Sequence, residues 1–160
     1  MNKSTLCLAA LCSAFAFGAA RAQAPAPAAP ATPDPLMKAP ADDSLFQALG
    51  AQPGIDRIVG DFVPRLVADP RTGEFFRKTN QDHLRLMLAQ QFCVVSGGGC
   101  VYTGLPMKTA HQDMDISKGD FNALVEVLQA SMDAQGVPFA TQNKLLARLA
   151  PMHREIVNVH

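Results

Sequence analysis

The sequence predicts an all-α domain, on three observations. Apolar residues recur at spacings of three and four rather than two over most of the C-terminal two-thirds of the chain. Prolines, glycines and one capping pattern stand where helices would begin and end. Alternating runs of β-branched residues, which would mark strands, are almost absent.

The first helical segment follows Asp43 and Ser44, either able to cap it, and runs from Leu45 to Leu49 before Gly50. Ile55, Ile58, Val59, Phe62, Val63 and Leu66 then fall at i, i+3, i+4, i+7, i+8 and i+11. That is one apolar face of a helix over about 53–68, with Pro53 in its first turn. Pro64 lacks an amide donor and presses on the carbonyl of Gly60, so a kink is expected there. Asp69-Pro70 ends this helix, and Phe75-Phe76 lies in a tight connector.

A helix over about 81–95 carries Leu84, Leu88, Gln91, Phe92 and Val95 on one face, with Met87 on its flank. Ser96-Gly97-Gly98-Gly99 stops it. A loop over 96–105 leads to Pro106 and a short helix, 106–112. Ser117 with Asp120 resembles a capping box. It opens a long helix with Phe121, Leu124, Val125, Leu128 and Met132 on one stripe, closed at Gly136. Pro138 begins the last helix, with Leu145, Leu149, Met152 and Ile156 inward and a bend expected at Pro151.

The helical domain occupies about 45–160. Ahead of it, Lys3, the apolar run Leu6 to Phe17 and Ala20-Arg21-Ala22 have the form of a Sec signal peptide covering 1–22, cleaved after Ala22. Residues 23–44 are rich in Ala and Pro and read as an extended, disordered linker. The expected location is therefore periplasmic or secreted. No other apolar run is long enough to span a bilayer. Losing Lys3 and Arg21 with the leader leaves 12 basic against 14 acidic residues, a net charge of −2. That balance gives no electrostatic case for nucleic acid.

Cys93 and Cys100 are the two cysteines outside the leader. In an exported chain they either form a disulfide, Cys93–Cys100, or remain two free thiols. No C-x-x-C-H motif offers covalent haem attachment, and no paired Cys/His spacing offers a zinc site. His111 is the one histidine in 98-GGCVYTGLPMKTAHQ-112. By residue type alone it is either a hydrogen-bonded core or surface histidine, or a metal ligand.

Taken in order, the segments 45-LFQALG-50 with Gly54, 61-DFVPRLVADP-70, 75-FF-76, 79-TN-80, 97-GG-98, 102-YTG-104, 107-MKTAH-111, 120-DF-121, 136-GVP-138 and 149-LAP-151 resemble a group I truncated haemoglobin. The match covers about Ser44 to Val157. The resemblance implies a two-over-two helical sandwich around a non-covalent haem b. It implies that His111 is the proximal iron ligand, and that Phe76 packs on the porphyrin. Phe62, Phe92, Tyr102 and Met107 match pocket-wall positions, and Lys108 matches one that reaches a haem propionate.

The distal side departs from the family pattern. Val63 stands where relatives often carry tyrosine, and Leu84 and Leu88 where they often carry glutamine. Met87 stands where some relatives place a basic residue or a second iron-binding histidine, so it is a possible sixth ligand. A donor in a dry pocket retains a bound gas by roughly 1–3 kcal/mol, so weak oxygen retention is expected unless Gln91 turns inward. The implied function is a haem protein binding a diatomic gas (O2, NO or CO) in an unusually apolar distal pocket. Alternatives are nitric oxide dioxygenation or peroxide detoxification, with His83 or Gln91 as the only distal polar groups, or a His111/Met87 electron-transfer haem with a redox partner. His153 and His160 have no spacing that implicates them.

Overall fold

The computed structural model describes Asp34 and residues 36–159; the leader, the linker up to Pro33, Pro35 and His160 lie outside the described residues. Among those described, helices are the only regular elements. They are α1 (Ser44–Ala48), α2 (Ala51–Ala68), α3 (Gly73–Phe76), α4 (Gln81–Ser96), α5 (Met107–His111), α6 (Lys118–Ala134) and α7 (Phe139–Leu149). A 3-10 turn (Ala150–Met152) and α8 (His153–Ile156) complete the chain.

The four longest helices form two pairs. α2 packs on α4, and α6 on α7, with α2 resting on α6 and α4 on α7. α2 is the centre of this arrangement because its whole apolar stripe is buried: Ile55, Ile58, Val59, Phe62, Val63 and Leu66 are each at most 2% exposed. Burying side chains of this size stabilises the fold by roughly 1.5–3 kcal/mol each. Leu128, Met132 and Leu145 close the core from the second pair.

Side chains and one glycine fix several helix ends, the α6 capping box among them as its sequence predicts. Asn80 Oδ1 accepts the Asp82 and His83 amides at the start of α4. Ser117 and Asp120 form a reciprocal capping box on α6. Gly54 lets the first turn of α2 pass under α1, because a Cβ there would lie 1.9 Å from the Leu49 carbonyl oxygen.

Other expectations are corrected. α2 begins at Ala51 rather than Pro53, with Gly50 as its cap in the left-handed region. Its end at Ala68, capped by Asp69, is where the sequence places it, and Pro64 lies inside the helix; the carbonyl deprived of a donor is that of Gly60, an exposed residue, so water can satisfy it. Pro151 does more than bend the last helix: α7 stops at Leu149 and the chain tightens to 3-10 before α8. Asp43 caps α1 without a side-chain bond; Asp42 Oδ1 instead accepts the Ser44 amide at 3.0 Å.

The expected linker also ends early. Leu36 and Met37 pack against the core, and Asp34 is only 8% exposed. The chain is attached to the domain well before residue 44.

Candidate functional site

The α4 helix changes character along its length. Its C-terminal half, from Gln91 to Ser96, is buried, whereas Leu84, Met87 and Leu88 are only partly covered. The half-covered face borders a cavity of about 370 Å³. α2 contributes Phe62 and Leu66 to its wall, α3 contributes Phe75 and Phe76, and α6 contributes Phe121 and Leu124. The lining is predominantly hydrocarbon and the volume falls in the range of small-ligand sites.

His111 and Met107, at the two ends of α5, line the same cavity. His111 Nδ1 lies 2.8 Å from the Met107 carbonyl oxygen. A carbonyl can only accept, so Nδ1 carries the proton and donates. In the neutral ring this leaves the Nε2 lone pair free. The Asn158 side chain donates to the His111 carbonyl at 3.0 Å.

Polar groups on the wall are mostly engaged. Gln91 Nε2 reaches Met152 Sδ at 3.1 Å and Met107 Sδ at 3.5 Å. Gln91 therefore does turn inward, but two thioethers occupy its donor. Asp120 accepts from the Ser117 amide and hydroxyl at 2.9 and 2.7 Å, and these bonds hold its carboxyl below the usual range. Tyr102 donates to the Leu105 carbonyl at 3.3 Å. Burial, and secondarily the charge of Asp34, push the Tyr102 phenol up. His83 also lines the cavity, while His153 meets the Phe121 ring edge-on, with centroids 4.8 Å apart.

Of the residues singled out from the sequence, Phe62, Phe76, Leu84, Met87, Leu88, Tyr102, Met107 and His111 come together on this wall. Three do not. Val63 is fully buried and Phe92 is 2% exposed, both in the core and off the cavity. Each is one residue, or about 100° of helix, away from a neighbour that does line it. Lys108 is exposed and borders a separate surface groove with Asp113, Asp115 and Arg154. His111, three residues on, borders that groove as well as the cavity.

The sequence reading missed Phe75, Met114 and Ile116 as wall residues, and took Phe121 and Leu124 only as core. Adjacent aromatics at 75–76 and the start of the α6 stripe were the available signals. No group of three His, Cys, Asp or Glu side chains capable of holding a bare metal ion occurs among the described residues. The nitrogen donors on this apolar wall are the imidazoles of His111 and His83, and only His111 has its Nδ1 engaged by a backbone carbonyl. That chemistry fits a flat hydrophobic cofactor whose own metal needs one axial ligand.

The sulfur atoms of Cys93 and Cys100 lie within bonding distance, with Cα atoms 5.9 Å apart, in the span typical of disulfides. A bond between them would join the last turn of α4 to the loop that leads to α5.

The chain matches the family described as bacterial-like globin over residues 44–158. It is 32% identical over 113 residues to Group 1 truncated hemoglobin GlbN of Mycolicibacterium paratuberculosis, covering 71% of this chain and 83% of that protein. It is 30% identical over 94 residues to the Group 1 truncated hemoglobin of Tetrahymena thermophila, covering 59% and 78%. The crystal structure of truncated hemoglobin from Tetrahymena pyriformis in its Fe(III) form is similar, with a TM-score of 0.69 at 25% identity, covering 71% of this chain and 97% of that one. A Synechococcus 2/2 hemoglobin, solved in the cyanomet state with covalently attached heme, gives a TM-score of 0.67 at 22% identity, covering 72% and 98%, and shares the fold. With its two pairs of helices, its apolar chamber and these relatives, the chain belongs to the bacterial-like globins as a group 1 truncated haemoglobin.

Proposed function

We propose that this protein holds a non-covalent haem b in the cavity, bound through His111 Nε2, and takes up a diatomic gas on the opposite side. The observation that carries the reading is the state of His111: it lines an apolar chamber, and the Met107 carbonyl fixes its proton on the other ring nitrogen. Haem, when bound, would supply an iron centre able to take up a gas. The chain's own residues do the rest. Phe76, Leu84 and Leu88 exclude water, and the hydrogen bond to Met107 sets the tautomer and orientation of the ring.

Met87 acts as wall in this reading. A Cβ on Gly104 would meet the Met87 sulfur at 2.9 Å and the Tyr102 hydroxyl at 2.4 Å, so the thioether packs beside that loop. The test is the absorption spectrum of the reduced protein, alone and with carbon monoxide. The expected result is a five-coordinate spectrum that shifts with carbon monoxide and is lost in His111→Gly without added imidazole. A six-coordinate ligand-free spectrum abolished by Met87→Leu would favour electron transfer instead. Extraction of the pigment into acidified organic solvent checks that it is not covalently attached.

His83 on the cavity wall favours one second reading, peroxide cleavage with His83 as the distal acid–base group. Peroxide turnover that falls at least about a hundredfold in His83→Leu, the lower end of a general acid–base contribution, would support it. We further read the mature protein as exported, beginning at Gln23 and oxidised at Cys93 and Cys100. N-terminal sequencing and thiol titration of protein from the periplasm test both.

A further inference from the structure

The helix that presents His111 has five residues, too few to persist in water by itself. Pro106 at its start provides no side-chain cap. Both ends are held instead by side chains far away in the sequence. Asp34 Oδ2 accepts the Met107 amide at 2.8 Å, across 73 positions. Asn158 Nδ2 donates to the His111 carbonyl at 3.0 Å, across 47.

Each of the two holding groups is itself fixed. Asp34 Oδ1 accepts the Leu36 amide at 2.8 Å, and the Met37 amide donates to the Asp34 carbonyl at 2.9 Å. Leu36 and Met37 pack on the core, and the Asp34 side chain is shielded from water. Asn158 Oδ1 accepts the Ile116 amide at 2.6 Å, so one side chain spans the end of α5 and the segment beyond it. Between the two ends, the Met107 carbonyl holds His111 Nδ1.

We propose that Asp34 and Asn158 are positioning residues that clamp α5 from the two flanks of the helical domain and thereby fix the orientation of the His111 ring. The proposal rests on the haem reading above and deepens it. A carboxylate at the positive end of a helix makes a charge-assisted bond, stronger than a neutral one, and is shielded here from competing water. The amide at the other end supplies a donor to a carbonyl that the finished helix leaves open. A ring oriented beforehand loses less freedom on taking a ligand, so the clamp favours retention of the cofactor. The stretch expected to be a disordered linker thus reaches the site through Asp34, near its middle.

The test compares wild type with Asp34→Ala, Asp34→Asn and Asn158→Ala, each as purified. Backbone amide exchange is followed at 107–111 and, as reference, in α2 and α6. The iron–imidazole stretching band of the reduced protein and the rate of haem transfer to an acceptor globin are measured alongside. In Asp34→Ala, exchange at 107–111 rises about tenfold or more while α2 and α6 hold, the scale of one lost charged hydrogen bond. The stretching band broadens and haem transfers faster. Asp34→Asn keeps an acceptor oxygen and restores most of each effect, and Asn158→Ala loosens the other end independently.

Unchanged exchange at 107–111 in both alanine variants overturns the clamp. So does a rise shared equally by α2 and α6, which would mark general destabilisation. Wild type that lacks a Soret band sinks the haem reading, while the exchange measurements still decide the clamp.

Discussion

Replacing Gln91 with leucine separates two roles a buried amide in this pocket could have. Gln91 is 8% exposed, and its Nε2 donates to the sulfurs of Met152 and Met107 at 3.1 and 3.5 Å. Thioether sulfur is a weak acceptor, so each bond contributes less than the roughly 0.5–1.5 kcal/mol of an ordinary one. Against that loss, removing a buried amide recovers a desolvation cost of about 1–3 kcal/mol. Leucine fills similar space with hydrocarbon beside the two methionines. The balance is a change within about 1 kcal/mol, on the stabilising side, or a rise of up to about 4 °C in the melting temperature for a domain of this size. The same geometry sends the amide donor toward Met107 and Met152. Oxygen and carbon monoxide release from the loaded protein should therefore change by no more than about twofold, well short of the tenfold that one lost hydrogen bond can produce. Thermal unfolding by circular dichroism and stopped-flow gas displacement measure the two quantities. A fall of about 5 °C or more would show that the sulfur contacts are worth far more than their chemistry allows. Release accelerated about tenfold would show that the amide serves the gas rather than the sulfurs.

Leu88→Gln places a donor on an otherwise hydrocarbon wall and should slow gas release by about tenfold to a hundredfold, read by the same displacement assay. Gly54→Ala should lower the urea midpoint: its Cβ would meet the Leu49 carbonyl oxygen at 1.9 Å, and an overpacking cost of about 1–3 kcal/mol exceeds the gain of up to about 1 kcal/mol in helix propensity. Ser117→Ala removes one half of the α6 capping box and should cost about 1 kcal/mol at pH 7. The Ser117 side-chain bond is the largest reason the Asp120 carboxyl is held low, followed by the Ser117 amide. A depressed carboxyl contributes stability above its unfolded value, near 3.8, and loses it as pH falls through the lower folded value. The difference between Ser117→Ala and wild type should therefore shrink in unfolding curves taken from pH 7 down to pH 3.

The regular parts of this fold were legible because they follow helical periodicity. All six members of the α2 stripe follow that periodicity, since each is buried whether it meets the core or, like Phe62 and Leu66, the cavity. Periodicity was less informative where a helix borders a chamber. Phe121 and Leu124 continue the apolar stripe of α6 with nothing to distinguish wall from core. Val63 and Phe92 show the complementary error: residues beside a wall position are a third of a turn away, and helix boundaries read from sequence do not fix rotation that finely. Lys108 fits the family spacing, yet its side chain is exposed and lines the neighbouring surface groove rather than the cavity. Asp34 carried no local signal at all. Its contact with Met107 spans 73 positions, and its neighbours in an Ala/Pro-rich stretch gave no pattern. Gln91 was read as a residue that could turn inward; which atoms it would meet depended on Met152, 61 positions away.

The run Gly97-Gly98-Gly99 would ordinarily signal slack between two helices. Here two of the three have no room to spare. A Cβ on Gly97 would come within 2.2 Å of the Asp42 carbonyl oxygen, and one on Gly98 within 2.5 Å of the Phe46 ring. Their amides are tied back to Val94 and Cys93. Gly99 alone faces open space, at φ 72°. The junction is therefore a fixed corner rather than a length of rope: with the Cys100 sulfur against Cys93 immediately beyond Gly99, the loop leaves α4 in one direction.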